Sequence, residues 1–119
     1  MESPIQTKSR SFAIRIINCY NYLVEQKHEQ VMNKQLLRCG TSIGANTRES
    51  KNAQSRMDFL SKLNIALKEA DETEYWLDLL HETNYLDDNM YNSISDDCAE
   101  LIKILTVIIK KIKDNPKGK

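Results

Sequence analysis

Apolar residues recur along this chain at steps of three and four in four separate runs, and polar stretches divide the runs. In the first, Phe12, Ala13, Ile16, Ile17, Tyr20, Leu23 and Val24 form one stripe of helical period that stops at the polar residues 25–30. Ser3-Pro4-Ile5-Gln6 precedes it. Ser3 can cap, Pro4 suits the first helical position and Gln6 can reach back as in a capping box, which predicts a helix over about residues 4–25.

The second run, residues 31–50, carries Leu36, Leu37 and Ile43 around a cluster of small residues, Cys39-Gly40-Thr41-Ser42-Ile43-Gly44-Ala45-Asn46. A helix-interior glycine costs about 1 kcal/mol relative to alanine, so a helix here needs compensation. Gly40 and Gly44 are four apart and share a face with room for a close neighbour, so close packing is the expected compensation. Ser55-Arg56-Met57-Asp58 is a Ser-x-x-acid start signal, and Phe59, Leu63, Ala66, Ala70, Thr73, Leu77 and Leu80 continue as an unbroken seam, predicting a helix over 56–84. Asp87-Asp88-Asn89 caps a fourth over 88–113, with Ile94, Cys98, Leu101, Leu105, Ile108 and Ile112 as its seam and Lys110, Lys111 and Lys113 suited to its C-terminus. Short connections make neighbours antiparallel. The expected fold is all-α, a single up-down-up-down four-helix bundle over residues 1–114, with 115–119 a polar, disordered tail.

Composition agrees: of 3 Gly and 2 Pro, the prolines sit at positions 4 and 116, leaving the middle almost free of helix breakers. The formal net charge is zero, which removes the simplest argument for non-specific nucleic-acid binding. Its distribution is uneven. Residues 1–58 hold nine Lys/Arg and five Asp/Glu, whereas 69–102 hold eleven Asp/Glu and no Lys or Arg. Such halves attract one another within a bundle or between subunits, or face different partners. Cys19, Cys39 and Cys98 are odd in number and lack CxxC spacing, which reads as reduced thiols in a cytoplasmic protein. The longest apolar stretch, Ile104 to Ile109, is far short of the roughly 20 residues a membrane span needs.

Catalytic and cofactor chemistry find little support. Gly40-Thr41-Ser42-Ile43-Gly44 lacks the Lys-Ser/Thr ending and preceding strand of a phosphate loop. His28 and His81 have no second His or Cys at ligand spacing and read as surface residues. Glu69, Glu72 and Glu82 lie on the third helix, but the paired Glu-x-x-His motifs of di-metal bundles are missing. No catalytic residue, metal site, cofactor or small-molecule substrate is therefore expected.

Pairing the second and third helices about a turn at 52–54 places Arg38 level with Glu69 and Gln35 level with Glu72. With Asn46 and Glu49 nearer the turn, these residues form either a polar cluster that sets register or a subunit contact, or ordinary exposed ion pairs worth about 0–1 kcal/mol. Tyr75 and Trp76 flank the third seam, so at least one ring points outward, and both are candidates for a subunit interface.

The stretch Gln35-Leu36-Leu37-Arg38-Cys39-Gly40-Thr41-Ser42-Ile43-Gly44-Ala45-Asn46 with Glu49, and Ala66-Leu67-Lys68-Glu69-Ala70-Asp71-Glu72-Thr73-Glu74-Tyr75-Trp76-Leu77, resembles the bacterial four-helix bundle family. Its members are also called intervening-sequence proteins, since some are encoded within insertions of 23S ribosomal RNA genes. Cys39 and Thr47 depart from the Ser and Ile expected there. The resemblance covers nearly the whole chain and implies a homopentamer, with kinship to the basic, nucleic-acid-binding accessory variability protein of diversity-generating retroelements.

Two non-enzymatic functions follow as expectations. One is an oligomer associated with RNA or a ribonucleoprotein through Lys8, Arg10, Arg15, Lys34, Arg48, Lys51 and Arg56. The other is a protein–protein adaptor with no nucleic-acid binding, using its acidic region and outward aromatic rings.

Overall fold

The computed structural model describes residues 3–115. Four helices account for nearly all of them: α1 (Pro4–Lys27), α2 (Val31–Lys51), α3 (Arg56–Glu82) and α4 (Asp88–Asp114), with no strand among the described residues. Asn115 caps α4, and the remainder of the expected tail, 116–119, lies outside the described residues.

Three starts use the capping chemistry their sequences carry. Ser3 Oγ accepts the Gln6 N–H at 3.4 Å while Gln6 Oε1 accepts the Ser3 N–H at 3.2 Å. Ser55 Oγ accepts the Asp58 N–H at 3.0 Å, and Asp87 Oδ1 accepts the Met90 N–H at 2.8 Å. The start of α2 is different. Glu29, placed by sequence in a polar connection, is buried, and its carboxylate accepts the N–H groups of Val31, Met32 and Asn33 at 3.2, 3.2 and 2.9 Å. An anion on the positive end of a helix dipole stabilises that end, so this side chain replaces the missing Ser or Thr cap.

Two ends differ from expectation. α1 continues past 25 to Lys27, where His28 turns into the left-handed region with φ 56°. α3 stops at Glu82 rather than 84, because Asn84 takes φ 70°, a conformation asparagine tolerates better than most residues.

Contacts run backwards from helix to helix. Ser9 meets Thr47 while Tyr20, further along α1, meets Asn33, earlier in α2. Arg38 pairs with Glu69 and Glu49 with Lys62; Lys8 pairs with Glu100 and Arg15 with Asp97. Each neighbour is therefore antiparallel, and α4 closes the ring on α1. The result is a rod of 50 × 23 × 21 Å. Its core is filled by Phe12, Ile16, Leu23, Leu36, Ile43, Leu63, Leu77, Leu80, Leu101 and Leu105. In α4 the seam departs from the expected stepping: Ile109 is buried, whereas Ile108 and Ile112 are half-buried. All three cysteines are buried and free, and burial pushes their thiols up, to about 11 for Cys19 and Cys39 and about 12 for Cys98.

The small-residue face of α2 packs on α1. A Cβ at Gly40 would lie 2.8 Å from Ile16 Cγ1 and 2.9 Å from Cγ2, and one at Gly44 would lie 3.2 Å from the Ser9 carbonyl oxygen. Beside Gly44, the buried Ser9 and Thr47 hydroxyls share a 2.9 Å hydrogen bond, and the hydroxyl that accepts it donates to a carbonyl of its own helix, Ser9 to Gln6 at 3.2 Å or Thr47 to Gly44 at 3.0 Å. Thr47 is thus a polar link between helices, where an isoleucine would leave the Ser9 hydroxyl only the Gln6 carbonyl of its own helix.

Ile16 is fully buried and β-branched, and the two carbons nearest Gly40 lie beside its Cβ, so it cannot swing aside. Gly40→Ala should therefore destabilise by about 1–3 kcal/mol despite alanine's better helix propensity. Gly44→Ala should cost less, and urea unfolding of the two variants measures the difference.

Candidate nucleic-acid interface

The topology sorts the charges by end of the rod. α1 and α3 start, and α2 and α4 finish, at the same end, which gathers Arg10, Arg48, Lys51, Arg56, Lys110, Lys111 and Lys113. The opposite end collects Asp78, Glu82, Asp87 and Asp88. The uneven charge read along the chain thus becomes a separation along the long axis, not a contrast between two halves of the molecule.

The cations expected to face nucleic acid divide into two groups. Lys8 pairs with Glu100 at 3.1 Å. Arg15 pairs with Asp97 at 2.6 Å and also donates to the Ser93 hydroxyl and carbonyl. Arg56 donates to the Ile112 carbonyl at 2.8 Å and to that of Asn115, a cation on the negative end of α4. These three are engaged within the chain. Arg10, Lys34, Arg48 and Lys51 are exposed and make no ion pair among the described residues.

Of these four, Arg10, Arg48 and Lys51 meet at one groove between α1 and α2. The groove holds about 240 Å³, and among the described residues Gln6, Ala13, Thr41, Gly44, Ala45 and Thr47 complete its lining, with no carboxylate. Helix geometry explains the convergence: Arg48 and Lys51 are three apart on α2 and neighbours on its surface, while Arg10 faces them from α1. Lys34 lies near the start of α2, away from the groove.

On the other side of α2, Arg38 donates to Glu69 Oε1 at 3.2 Å and to Glu72 Oε2, so one guanidinium bridges two carboxylates of α3. Glu72 therefore engages Arg38 rather than the Gln35 that the register placed level with it. It also accepts the Trp76 indole N–H at 3.1 Å. The hydrogen bond from Arg38, and then that from Trp76, hold the Glu72 carboxyl below its usual value. The same bond with Glu72 raises the Arg38 guanidinium.

The wider polar cluster is smaller than expected. Ser42 Oγ donates to the Arg38 carbonyl at 2.6 Å and Asn46 Nδ2 to the Ser42 carbonyl at 2.8 Å, bonds inside α2, and Glu49 pairs separately with Lys62 at 3.1 Å. Trp76 is half-buried and held by Glu72, whereas Tyr75 is 56% exposed with its ring edge-on to the indole at 5.1 Å. Tyr75 is thus the outward ring of the pair.

His81 is not a simple surface residue. Its Nε2 lies 2.7 Å from Asp88 Oδ1, its ring stacks on Tyr91 at 4.1 Å, and the Tyr91 hydroxyl donates to Asp78 Oδ1 at 2.5 Å. This chain ties the end of α3 to the start of α4. It crosses the turn between the two helices, so the spacing within either helix alone did not reveal it.

Fold and surface together define a small antiparallel four-helix bundle with a cationic groove at its basic end, lined by no carboxylate among the described residues. The model of the 23S rRNA-intervening sequence protein family matches residues 1–107, and the chain belongs to that family. A solved relative, a protein of unknown function from the S23 ribosomal protein family of Bacteroides thetaiotaomicron VPI-5482, is 57% identical. The match covers 89% of this chain and 98% of that one, with a TM-score of 0.88. No curated protein matches the chain.

The Arg38 bridge predicts a pH dependence. Because Glu72 titrates below its ordinary 4.5 when folded, its contribution is complete above that pH and is lost as pH falls through the folded-state value. With side chains 48% and 37% exposed, the pair is worth about 0–1 kcal/mol. Glu72→Gln should be less stable by that amount at neutral pH, and the gap should close in urea titrations repeated at decreasing acid pH.

Proposed function

We propose that this protein is a non-enzymatic, cytoplasmic RNA-associated bundle that grips phosphates through the α1/α2 groove. One observation carries the reading: Arg10, Arg48 and Lys51 converge on a groove lined by no carboxylate among the described residues, while Lys8, Arg15, Arg38 and Arg56 are spent inside the chain. Net charge is a poor guide here, because a polyanion responds to the local potential of unpaired cations rather than to the sum over the molecule. The family's name links it to sequences inserted in 23S rRNA, which makes RNA the polyanion of choice. Fluorescence anisotropy with a labelled structured RNA tests the proposal. Affinity should fall steeply with salt, and each of Arg10→Ala, Arg48→Ala and Lys51→Ala should reduce the logarithmic salt slope by about one. No binding at low salt, or variants that bind as the parent does, would refute it.

We also propose self-association, with the pentamer implied by the family resemblance as the assembly. Ile14, Ile17 and Val107 are 51, 44 and 45% exposed, and with Tyr75 they give the surface apolar area that oligomer interfaces use. Light scattering should return a multiple of the 13.8 kDa chain mass. Ile14→Asp or Val107→Asp should lower that mass without loss of helicity by circular dichroism, and a monomeric parent would refute assembly.

A further inference from the structure

The lining of the α1/α2 groove also bears on which form of RNA it suits. It contains no aromatic ring, so a base entering it has nothing to stack on. Its hydroxyls are already engaged: Thr41 Oγ1 donates to the Leu37 carbonyl at 2.7 Å, and Thr47 Oγ1 donates to the Ser9 hydroxyl or to the Gly44 carbonyl. Gln6 Oε1 is held by the Ser3 N–H. The donors left without a partner are therefore the three cations and the Gln6 Nε2 amide. The cations dominate this set, match phosphate oxygens and carry no base information. At about 240 Å³ the groove is also below the roughly 300 Å³ at which small-molecule sites begin, and it suits a phosphate group better than a whole nucleotide.

The exposed ring that a single strand would use is elsewhere. Among the described residues Tyr75 is the one exposed ring of the Phe, Tyr and Trp side chains, and it lies some 19 residues into α3, about 28 Å from the basic end at 1.5 Å per residue; the exposed His28 lies past the end of α1, at the opposite end from the groove. Its neighbours are acidic. Glu74 is adjacent, Asp78 is one helical turn on and Asp71 one turn back, and burial together with these two like charges raises the Glu74 carboxyl. A strand drawn to the cations is thus repelled from the ring, so the two components of a single-strand site are kept apart. Arg48 and Lys51, by contrast, are held at fixed spacing by one helix, with Arg10 opposite them on another. Such a fixed array suits a regular, pre-ordered phosphate backbone.

We infer that the α1/α2 groove takes the sugar–phosphate backbone of double-helical RNA in preference to a single strand, reading charge and shape and no base sequence. This inference rests on the proposed role of the groove as an RNA contact. Double-stranded RNA is recognised in just this manner, through phosphates and shape, whereas single strands are held by stacking.

The test compares, by anisotropy at one salt concentration, a labelled RNA duplex of about 16 base pairs with oligouridine of the same length. The full-length protein should bind the duplex at least about tenfold more tightly, and duplexes of unrelated sequence should bind alike. Arg48→Ala/Lys51→Ala, with unchanged circular dichroism, should lose most of the duplex affinity. Equal or tighter binding of oligouridine would overturn the duplex preference while leaving RNA association in place. Failure to bind either probe at low salt would overturn both, and duplex affinity untouched by the double variant would remove the groove from the contact.

Discussion

The contact between Gly40 and Ile16 sets the distance between α1 and α2, and much of the molecule follows from that distance. Because Gly40 has no side chain, Ile16 fills the space a Cβ would occupy, and Gly44 one turn on lets the Ser9 backbone approach in the same way. Only with the backbones this close can the Ser9 and Thr47 hydroxyls bond inside the interface at 2.9 Å. The same small residues explain the groove. Where Gly44, Ala45 and Ala13 leave the surface low, the long side chains of Arg10, Arg48 and Lys51 stand around it. The helix-propensity cost of the glycines is thus offset by packing on the buried side, and the outer rim of the same seam becomes the cationic concavity.

The antiparallel topology performs a second conversion. Apart from Lys27 and Lys34, the positive residues near helix ends fall early in α1, late in α2, early in α3 and late in α4, positions that look scattered along the chain. Folding brings these segments to one end, and the acidic segments to the other. Each helix dipole agrees with part of this arrangement: Lys111 and Lys113 lie in the last turn of α4 and Arg48 and Lys51 in that of α2, while Glu29 and Asp88 sit at helix starts. Axial polarity therefore costs little locally, because many of the charges that create it also stabilise the helix ends they occupy.

Much of this was legible in the sequence, for identifiable reasons. Helix starts at Ser3, Ser55 and Asp87 are local events, decided by a side chain and an N–H within the next three residues, and all three form as read. The Gly40–Gly44 face and the Arg38–Glu69 pairing followed from period and from counting back through one turn. What was not legible depends on distant partners. Whether Lys8 and Arg15 are free or paired is decided by Glu100 and Asp97, more than eighty residues away across the α1–α4 closure. Thr47 was noted only as a departure from the family pattern, yet it is one half of a buried hydroxyl pair whose other half lies on α1. Glu29 left one trace, an acid just ahead of an apolar run, but reading it as a cap requires knowing that its side chain turns inward.

The division of cations into paired and unpaired sets is also what reconciles a neutral chain with a polyanionic partner. An ion pair between exposed side chains changes stability little, but it removes both charges from the surface potential a partner meets at short range. Lys8, Arg15 and Arg38 are neutralised in this way by carboxylates of α3 and α4, so those acids are consumed at home and do not offset the groove. The groove residues keep their full charge because α1 and α2 supply no carboxylate to its lining. Near the groove, within the roughly 8 Å over which physiological salt lets charges act, the molecule is basic whatever its total. The acidic surplus lies mainly toward the far end of a 50 Å rod, several screening lengths away, where it orients the molecule on a polyanion rather than opposing contact.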